Sequence, residues 1–352
     1  MMKTTVIGSY PKPEYVKLPD WFGTSTCEHN TQEVTEVIKN TDQNKLEENF
    51  NKAIEEVIKE QVELKIDVIT DGEIRRENYI YAFCRSIKNI DFNTLTERVL
   101  RNGAYTINCP TIVNKLEIKD ENKYFSHEWY KSNQIAKKYN TTLKFTLPGP
   151  MTICETLSNT YYKNDKDICT DLVPLLRREI LYLKSIGCKE IQIDEPLFAR
   201  QPKKALDWGI GLLDSIIKDI SNVFFTVHIC CGYPNYLDQM NYKKANKNSY
   251  DILAMRLDNS YINAISIEDA HCHQDLSFVK KIKKKTIVFG VIAIAKSKVE
   301  SVTEITERIN EVLKFITKDR LIIAPDCGLG FLPKSILYNK LKNMIKAVKL
   351  LE

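Results

Sequence analysis

The sequence has 352 residues, of which 43% are hydrophobic and 28% charged, and its 51 Lys and Arg against 46 Asp and Glu give a net charge of +5. This composition is ordinary for a globular protein and excludes a disordered, fibrous or membrane-spanning chain. The charges are interspersed rather than gathered in a basic arm, so we expect no nucleic-acid partner.

Short β-rich runs alternate with helical stretches along the chain. Most of the runs are nearly continuous apolar segments, which is typical of parallel strands covered on both faces. The eight predicted strands are residues 4–8, 67–70, 143–147, 191–194, 224–228, 264–267, 287–291 and 321–325. Amphipathic helices are predicted between them, most clearly at residues 45–64, 171–186, 205–220, 302–316 and 334–350.

This repeated order of strand and helix predicts right-handed βαβ units and a parallel sheet, and eight strands is the number in a (β/α)8 TIM barrel. Residues 80–142, between the second and third strands, are less regular and rich in Asn, Tyr and Thr, so we expect an insertion there. No linker divides the sequence. The prediction is one α/β domain over residues 1–352, with an open doubly wound sheet as the alternative.

The ten cysteines are informative about the cellular compartment, because disulfides form and persist in oxidising environments. Disulfide scaffolds belong to short secreted chains, whereas this sequence is long and its first 16 residues contain no apolar stretch of signal-peptide length. The longest apolar run, residues 287–295, is far shorter than the about 20 residues that span a bilayer. We therefore expect free thiols, a cytoplasmic location and no membrane partner.

Polar residues recur directly after the predicted strands. In a parallel barrel the loops leaving the carboxyl ends of the strands build the active site, so this recurrence across separate elements is more informative than any single motif. The residues in question are Ser9, Asp71, Glu73, Asp194, Glu195, His228, Cys230, Glu268, Asp326 and Cys327.

Four of these strand-end residues are of the types that zinc accepts as ligands, namely His228, Cys230, Glu268 and Cys327. Cys231 is a rival ligand, but adjacent residues on an extended strand point to opposite sides, so we expect it to pack behind Cys230. His271 and His273 lie several residues past the sixth strand, and we expect them in a loop or at the mouth of the site rather than on the metal.

A zinc site with two thiolates is better suited to activating a substrate thiol than to activating water. Coordination lowers the pKa of the thiol, so that a thiolate exists at neutral pH and can attack an electrophilic carbon such as a methyl group. Glu73 and Asp194 could then hold an ammonium group on the substrate, because buried acids need a cationic partner.

Taken in order, the motifs resemble the C-terminal catalytic barrel of cobalamin-independent methionine synthase, over nearly the whole chain. Those that carry the resemblance are VIGSYP (6–11), DGEIRREN (71–78), LPGPMT (147–152), IQIDEP (191–196), HIC (228–230), SIE (266–268) and APDCGLG (324–330). The length matches the short, single-barrel form of the family, as in its archaeal members.

The resemblance implies zinc as cofactor, held by His228, Cys230, Glu268 and Cys327. It implies homocysteine as the thiol substrate, bound by the segment Ile7, Gly8 and Ser9 at its carboxylate and by Glu73 and Asp194 at its ammonium group. Thiolate attack on a methyl donor would then yield methionine.

Two departures from the family concern the methyl donor. Ala293 and Ala295 stand where the family often carries an Asp and a His that protonate the leaving group, and Thr156 stands near the place of a Trp that meets the pterin. Without such an acid, an unassisted N-methyl bond is hard to break. A methylcorrinoid or a sulfonium donor needs no acid; methyltetrahydrofolate stays open if His271 or His273 supplies the proton.

Two alternative functions keep the same metal ligands. The first is alkyl transfer to another thiol, as in the enzymes that act on coenzyme M, where Glu73 and Asp194 would have little use. The second is a non-catalytic relative in which the zinc is structural, since structural zinc sites are also closed by four protein ligands.

Overall fold

The computed structural model describes residues 2–20, 31–100, 103, 105–234, 236–246 and 248–352. Within these ranges the strands are β1 Lys3–Thr4, β2 Val68–Ile69, β3 Ile87–Leu100, β4 Tyr105–Ile118, β5 Thr142–Leu143, β6 Phe145–Pro148, β7 Ser158–Asn159, β8 Glu190–Asp194, β9 Phe224–Ile229, β10 Ala264–Ile267, β11 Thr286–Gly290 and β12 Leu321–Ala324. All eight predicted strands are found, several of them shorter than expected.

The helices in the same ranges are α1 Thr31–Asn40, α2 Gln43–Glu63, α3 Tyr79–Cys84, α4 His127–Ala136, α5 Pro150–Glu155, α6 Asp165–Ser185, α7 Leu197–Arg200, α8 Pro202–Lys204, α9 Ile210–Ile217, α10 Ser249–Asp258, α11 Val302–Leu313 and α12 Lys334–Leu350. Local sequence explains their starts. Asp42 accepts from two backbone amides at the N-terminus of α2, and Ser301 with Glu304 forms a capping box on α11.

One predicted helix, residues 205–220, is interrupted. Its first turn is a π-helical segment, Ala205–Gly209, and α9 follows it. At Gly209 a Cβ atom would overlap the sulfur of Met151. Glycine therefore allows the wide turn to lie against the core, a packing effect that helical periodicity does not report.

A seven-stranded parallel sheet forms the centre of the protein, in the order β1-β12-β11-β10-β9-β8-β6. Its strands are almost entirely buried because helices cover their outer face and side chains fill the space that the sheet curls around. On that inner side Ile7, Ala264, Val288 and Ala324 form a small apolar cluster. The observed architecture is thus an α/β fold with a curled parallel sheet.

Two shorter pairings lie beside the edges of this sheet. β2 pairs in parallel with β5, and an isolated parallel bridge joins Thr5 to Val68. β5 leads into β6 across Lys144, whose backbone amide donates to Ile69 O at 2.8 Å. The strands at both ends of the seven-stranded order therefore have contacts to β2 or to its partner.

Residues 80–142, expected to be an irregular insertion, contain a long antiparallel hairpin of β3 and β4 followed by α4. Along β3 only the two end residues, Ile87 and Leu100, are buried. β3 therefore lacks the apolar alternation by which a half-buried strand is recognised in a sequence. Among the described residues, no helix combines the length and apolar character needed to cross a membrane.

Candidate metal centre and thiol-binding site

An imidazole and two thiols meet at the carboxyl ends of two strands. His228 lies in β9, Cys230 follows that strand directly, and Cys327 follows β12. One ligand atom from each of the three lies within 4.8 Å of the other two, and His228 Nε2 is 3.0 Å from Cys327 Sγ. His228 and Cys230 are buried and Cys327 is half-buried, so the cluster faces a partly accessible space.

The neighbouring strand orients the imidazole. His228 and Ser266 are paired in the register of β9 and β10, and His228 Nδ1 lies 2.8 Å from Ser266 Oγ. Nε2 is thereby directed at the two sulfur atoms. A histidine that ligates a metal commonly donates its other ring nitrogen to an oxygen in this way, which fixes the tautomer.

The dimensions of this cluster suit a zinc ion. Zinc bonds of about 2.0–2.3 Å in tetrahedral geometry place ligand atoms roughly 3.3–3.8 Å apart. The spacing of the three donor atoms is compatible with this value after small side-chain movements, and the imidazole and thiolate donors are those that zinc prefers.

Glu268, the fourth predicted ligand, follows β10 and is buried, but its carboxylate lies beside the cluster rather than in it. Oε2 accepts a hydrogen bond from the Cys231 amide at 3.0 Å, and Oε1 forms an ion pair with Lys244. Burial raises the pKa of Glu268 while Lys244 opposes that rise. Its role as a ligand stays a prediction. Cys231 itself packs into the core, as expected.

The two acids predicted to hold the substrate ammonium group are both buried. Glu73 has a left-handed backbone with φ of 56°, and its Oε1 accepts from Thr146 Oγ1 at 2.6 Å. Asp194 ends β8, paired in register with His228, and accepts from Gln192 Nε2 at 2.7 Å. Burial raises the pKa of Asp194 to about 7, with Glu73 adding to the rise and His228 opposing it. An ammonium group bound between the two acids would reduce the electrostatic repulsion between the Glu73 and Asp194 carboxylates.

The predicted segment Ile7, Gly8 and Ser9 follows β1 and lies between the buried acids and the loop that carries Cys327. A Cβ atom at Gly8 would lie 2.6 Å from Glu73 Oε1, so glycine is required for the carboxylate to approach the backbone. Ser9 O accepts from the Leu329 amide at 2.7 Å. The segment therefore contacts both the acidic side and the loop that carries Cys327.

Two strand-end acids serve the backbone instead of the cleft. Glu195 accepts hydrogen bonds from the backbone amides of Met151 and Thr152, at the start of α5. Asp326 accepts from three consecutive backbone amides, those of Asp269, Ala270 and His271. Position after a strand does not distinguish these acids from Glu73 or Asp194.

The loop after β11 carries Ala293 and Ala295, both buried. The side chain of His271, a candidate proton source, is only 1% exposed, and both of its ring nitrogens are engaged: Nδ1 lies 2.8 Å from Asp326 Oδ2, and Nε2 accepts from the Ala295 amide at 3.2 Å. His273 is exposed, with Nδ1 3.0 Å from Asp269 Oδ2. His271 therefore links Asp326 to the loop after β11 through both of its ring nitrogens.

An imidazole and two thiols gathered at the carboxyl ends of parallel strands form a candidate metal centre at the position where enzymes of this fold class carry their active sites. A family model described as the catalytic domain of cobalamin-independent synthase matches residues 2–350. The chain therefore belongs to the cobalamin-independent methionine synthase family, and the expected homocysteine S-methyltransferase activity is confirmed at the level of that family. Neither alternative, transfer to another thiol or a non-catalytic relative, is favoured.

Individual relatives agree with this assignment. The chain is 32% identical over 348 residues to a methionine synthase of Sulfolobus acidocaldarius, covering 98% of this chain and 91% of that protein. It is 31% identical over 356 residues to one from Saccharolobus solfataricus, covering 99% and 94%. A B12-independent methionine synthase structure from Shewanella sp. W3-18-1, in complex with selenomethionine, has the same fold, with a TM-score of 0.86, 24% identity, and coverage of 100% and 98%.

Proposed function

We propose that this chain is a zinc-dependent enzyme that transfers a methyl group to the thiol of homocysteine. The observation that carries the proposal is the approach of His228, Cys230 and Cys327, whose donor atoms lie within 4.8 Å of one another. These residues would hold the zinc, with Glu268 as the fourth ligand before the substrate arrives. Zinc, when bound, would lower the pKa of the substrate thiol so that a thiolate is available at neutral pH.

The remaining site residues would orient the amino acid. Glu73 and Asp194 would bind the ammonium group of homocysteine, and Ser9 with the backbone of Ile7 and Gly8 would meet its carboxylate. In this proposal the substrate would lie between the two acids and the loop of Cys327, and the contacts of the Ser9 segment with both support it. The side chain of homocysteine would then extend toward the two sulfurs and the imidazole.

The proposal includes the architecture. We propose that the curled sheet closes into a (β/α)8 barrel through the pairing of β2 with β5 and the bridge from Thr5 to Val68, and that residues 1–352 form one domain. A cytoplasmic location follows from the chemistry. The site needs reduced thiols, and nine cysteines of the described residues are free.

For the methyl donor we propose a methylcorrinoid in preference to methyltetrahydrofolate. Attack of the thiolate forms the sulfur–carbon bond, and the leaving group departs with the electron pair of the broken bond. A folate amine would have to be protonated as it leaves, but Ala293 and Ala295 have no acidic group and His271 is engaged at both ring nitrogens. A corrinoid leaving group needs no proton.

Zinc-edge X-ray absorption on the zinc-loaded protein, with and without homocysteine, tests the proposed chemistry. We expect one additional sulfur neighbour and the loss of one oxygen neighbour on substrate binding. An unchanged spectrum in a fully loaded site would overturn the proposal. Cys327→Ser is the matched variant, with one sulfur fewer in both states. Turnover with methylcobalamin but not with methyltetrahydrofolate would support the proposed donor, and the opposite result would exclude it.

A further inference from the structure

Lys244 has a place beside the candidate metal centre that neither its position in the sequence nor the family motifs indicate. It lies in the loop between β9 and α10, and its ammonium group is paired with Glu268 Oε1. The lysine side chain is only 18% exposed and the glutamate side chain 1%. The ion pair is therefore largely removed from water. Glu268 directly follows β10, the strand whose Ser266 contacts His228.

The loop around the lysine is fixed by hydrogen bonds from separate elements. Arg200, at the end of α7, donates to the carbonyl groups of Cys231 at 3.0 Å and Lys243 at 3.3 Å. The Ala245 amide donates to Cys231 O at 2.8 Å. The backbone on both sides of Lys244 is thus tied to the segment that carries Cys230.

The opposite oxygen of Glu268 is held as well, since Oε2 accepts from the Cys231 amide at 3.0 Å. The Glu268 carboxylate is therefore bound by one cation and one backbone donor, at a position next to the candidate metal centre. A buried carboxylate without such partners would be strongly destabilised. Negative groups surround it, because Asp326 and Cys230 both add to the rise in the pKa of Glu268 that burial causes.

We propose that Lys244 is a positioning residue that receives the Glu268 carboxylate when the substrate thiol takes its place on the metal. The inference rests on the proposed function. In such an exchange, the thiol would release its proton to solvent and supply an electron pair, while the Glu268 carboxylate would leave with its own pair and remain anionic. Lys244 pairs with the displaced Glu268 carboxylate, so that substrate binding does not leave an unpaired charge in the interior.

This role predicts two changes of opposite sense in Lys244→Met. Without the lysine, the free protein loses the contact that competes with the metal for Glu268, so the Kd for zinc should fall about tenfold or more. In the zinc-loaded protein, the displaced carboxylate has no cation to meet, so the Kd for homocysteine should rise about tenfold or more. General damage to the site would instead raise both dissociation constants.

Zinc affinity is measured by competition with a chromophoric chelator and homocysteine binding by calorimetry on the zinc-loaded protein. Lys243→Met, a change at the neighbouring lysine that contacts Gly103 O, is the matched control and should leave both constants within about twofold of the wild type. Lys244→Gln should shift both constants in the same directions as the methionine variant, and it serves if that variant does not fold. In a Glu268→Gln background the lysine change should have no effect on either constant, because no carboxylate remains to be received.

Two kinds of failure are distinguishable. If homocysteine adds no sulfur neighbour to zinc in the wild type, the proposed function fails before Lys244 is considered. If the wild type exchanges ligands and the Lys244 variants bind zinc and homocysteine within about twofold of it, the role of Lys244 is overturned while the proposed function stands. A rise in both dissociation constants would also overturn the role of Lys244, since such a result would indicate general structural damage.

Discussion

Asp326 offers a prediction whose size follows from its contacts. Its side chain is fully buried between the end of β12 and the loop after β10. Oδ1 accepts from the backbone amides of Asp269 and Ala270, each at 2.9 Å. Oδ2 accepts from the backbone amide of His271 at 2.7 Å and lies 2.8 Å from His271 Nδ1. Burial raises the pKa of Asp326, but these contacts outweigh it and hold that pKa below its usual range.

The substitution Asp326→Asn should be costly although it changes the shape of the side chain very little. One oxygen becomes an amide nitrogen that faces two N–H donors from His271. The imidazole cannot relieve this by moving its proton to Nε2, because Nε2 accepts from the Ala295 amide. Two hydrogen bonds to a charged acceptor are lost at about 1.5–3 kcal/mol each, so we expect a loss of about 3–6 kcal/mol in the free energy of unfolding.

Denaturant unfolding of the zinc-free protein measures this difference without any contribution from the metal. Asp275→Asn is the control, because Asp275 is exposed and accepts from the Ser277 amide at the start of the short 3-10 helix Leu276–Lys281, where asparagine serves equally well. We expect the control to stay within about 0.5 kcal/mol of the wild type. A loss below about 1.5 kcal/mol for Asp326→Asn would refute the account of this network.

Three further changes test other contacts. Gly8→Ala places a methyl group 2.6 Å from Glu73 Oε1, so the carboxylate must turn aside, and we expect homocysteine binding measured by calorimetry to weaken about tenfold. Lys340→Met removes the buried ammonium group from which Glu300 accepts at 2.8 and 3.0 Å; Glu300 is half-buried and keeps a hydrogen bond from the Ala293 amide, so we expect a cost of about 1.5–3 kcal/mol in denaturant unfolding. Burial lowers the pKa of Lys144 from 10.5 to about 8; between these values the unfolded chain holds a proton that the folded chain has lost, so wild-type stability relative to Lys144→Met should rise with pH across that window.

Matched controls separate these effects from nonspecific ones. Gly211→Ala introduces a methyl group with no atom within 4 Å, and equal homocysteine binding in both glycine variants would contradict the proposed role of Gly8. Lys346→Met removes an exposed lysine from the helix that carries Lys340, and an equal cost in the two variants would show that the buried pair contributes nothing. A stability difference between wild type and Lys144→Met that does not change from pH 8 to 10.5 would exclude the depressed pKa of Lys144.

The positions of the strands and of the metal cluster could be predicted because both depend on short-range patterns. Buried parallel strands are continuous apolar runs, and the residues that follow them meet at one edge of the sheet whatever their distance along the chain. His228 and Cys327 are 99 residues apart, yet their ligand atoms lie 3.0 Å apart. The hairpin of β3 and β4 could not be predicted in the same way, since only the two end residues of β3 are buried and that strand has no apolar run.

The role of each acid at the strand ends depends on its partners, which come from distant segments. Glu195 and Asp326 accept from backbone amides whose positions are set by the chain itself, so these acids are committed to holding the fold. Glu73 and Asp194 accept instead from side chains, those of Thr146 and Gln192. The difference between acids bonded to backbone amides and acids bonded to side chains lies in the tertiary contacts, and the spacing of the acids along the sequence does not report it.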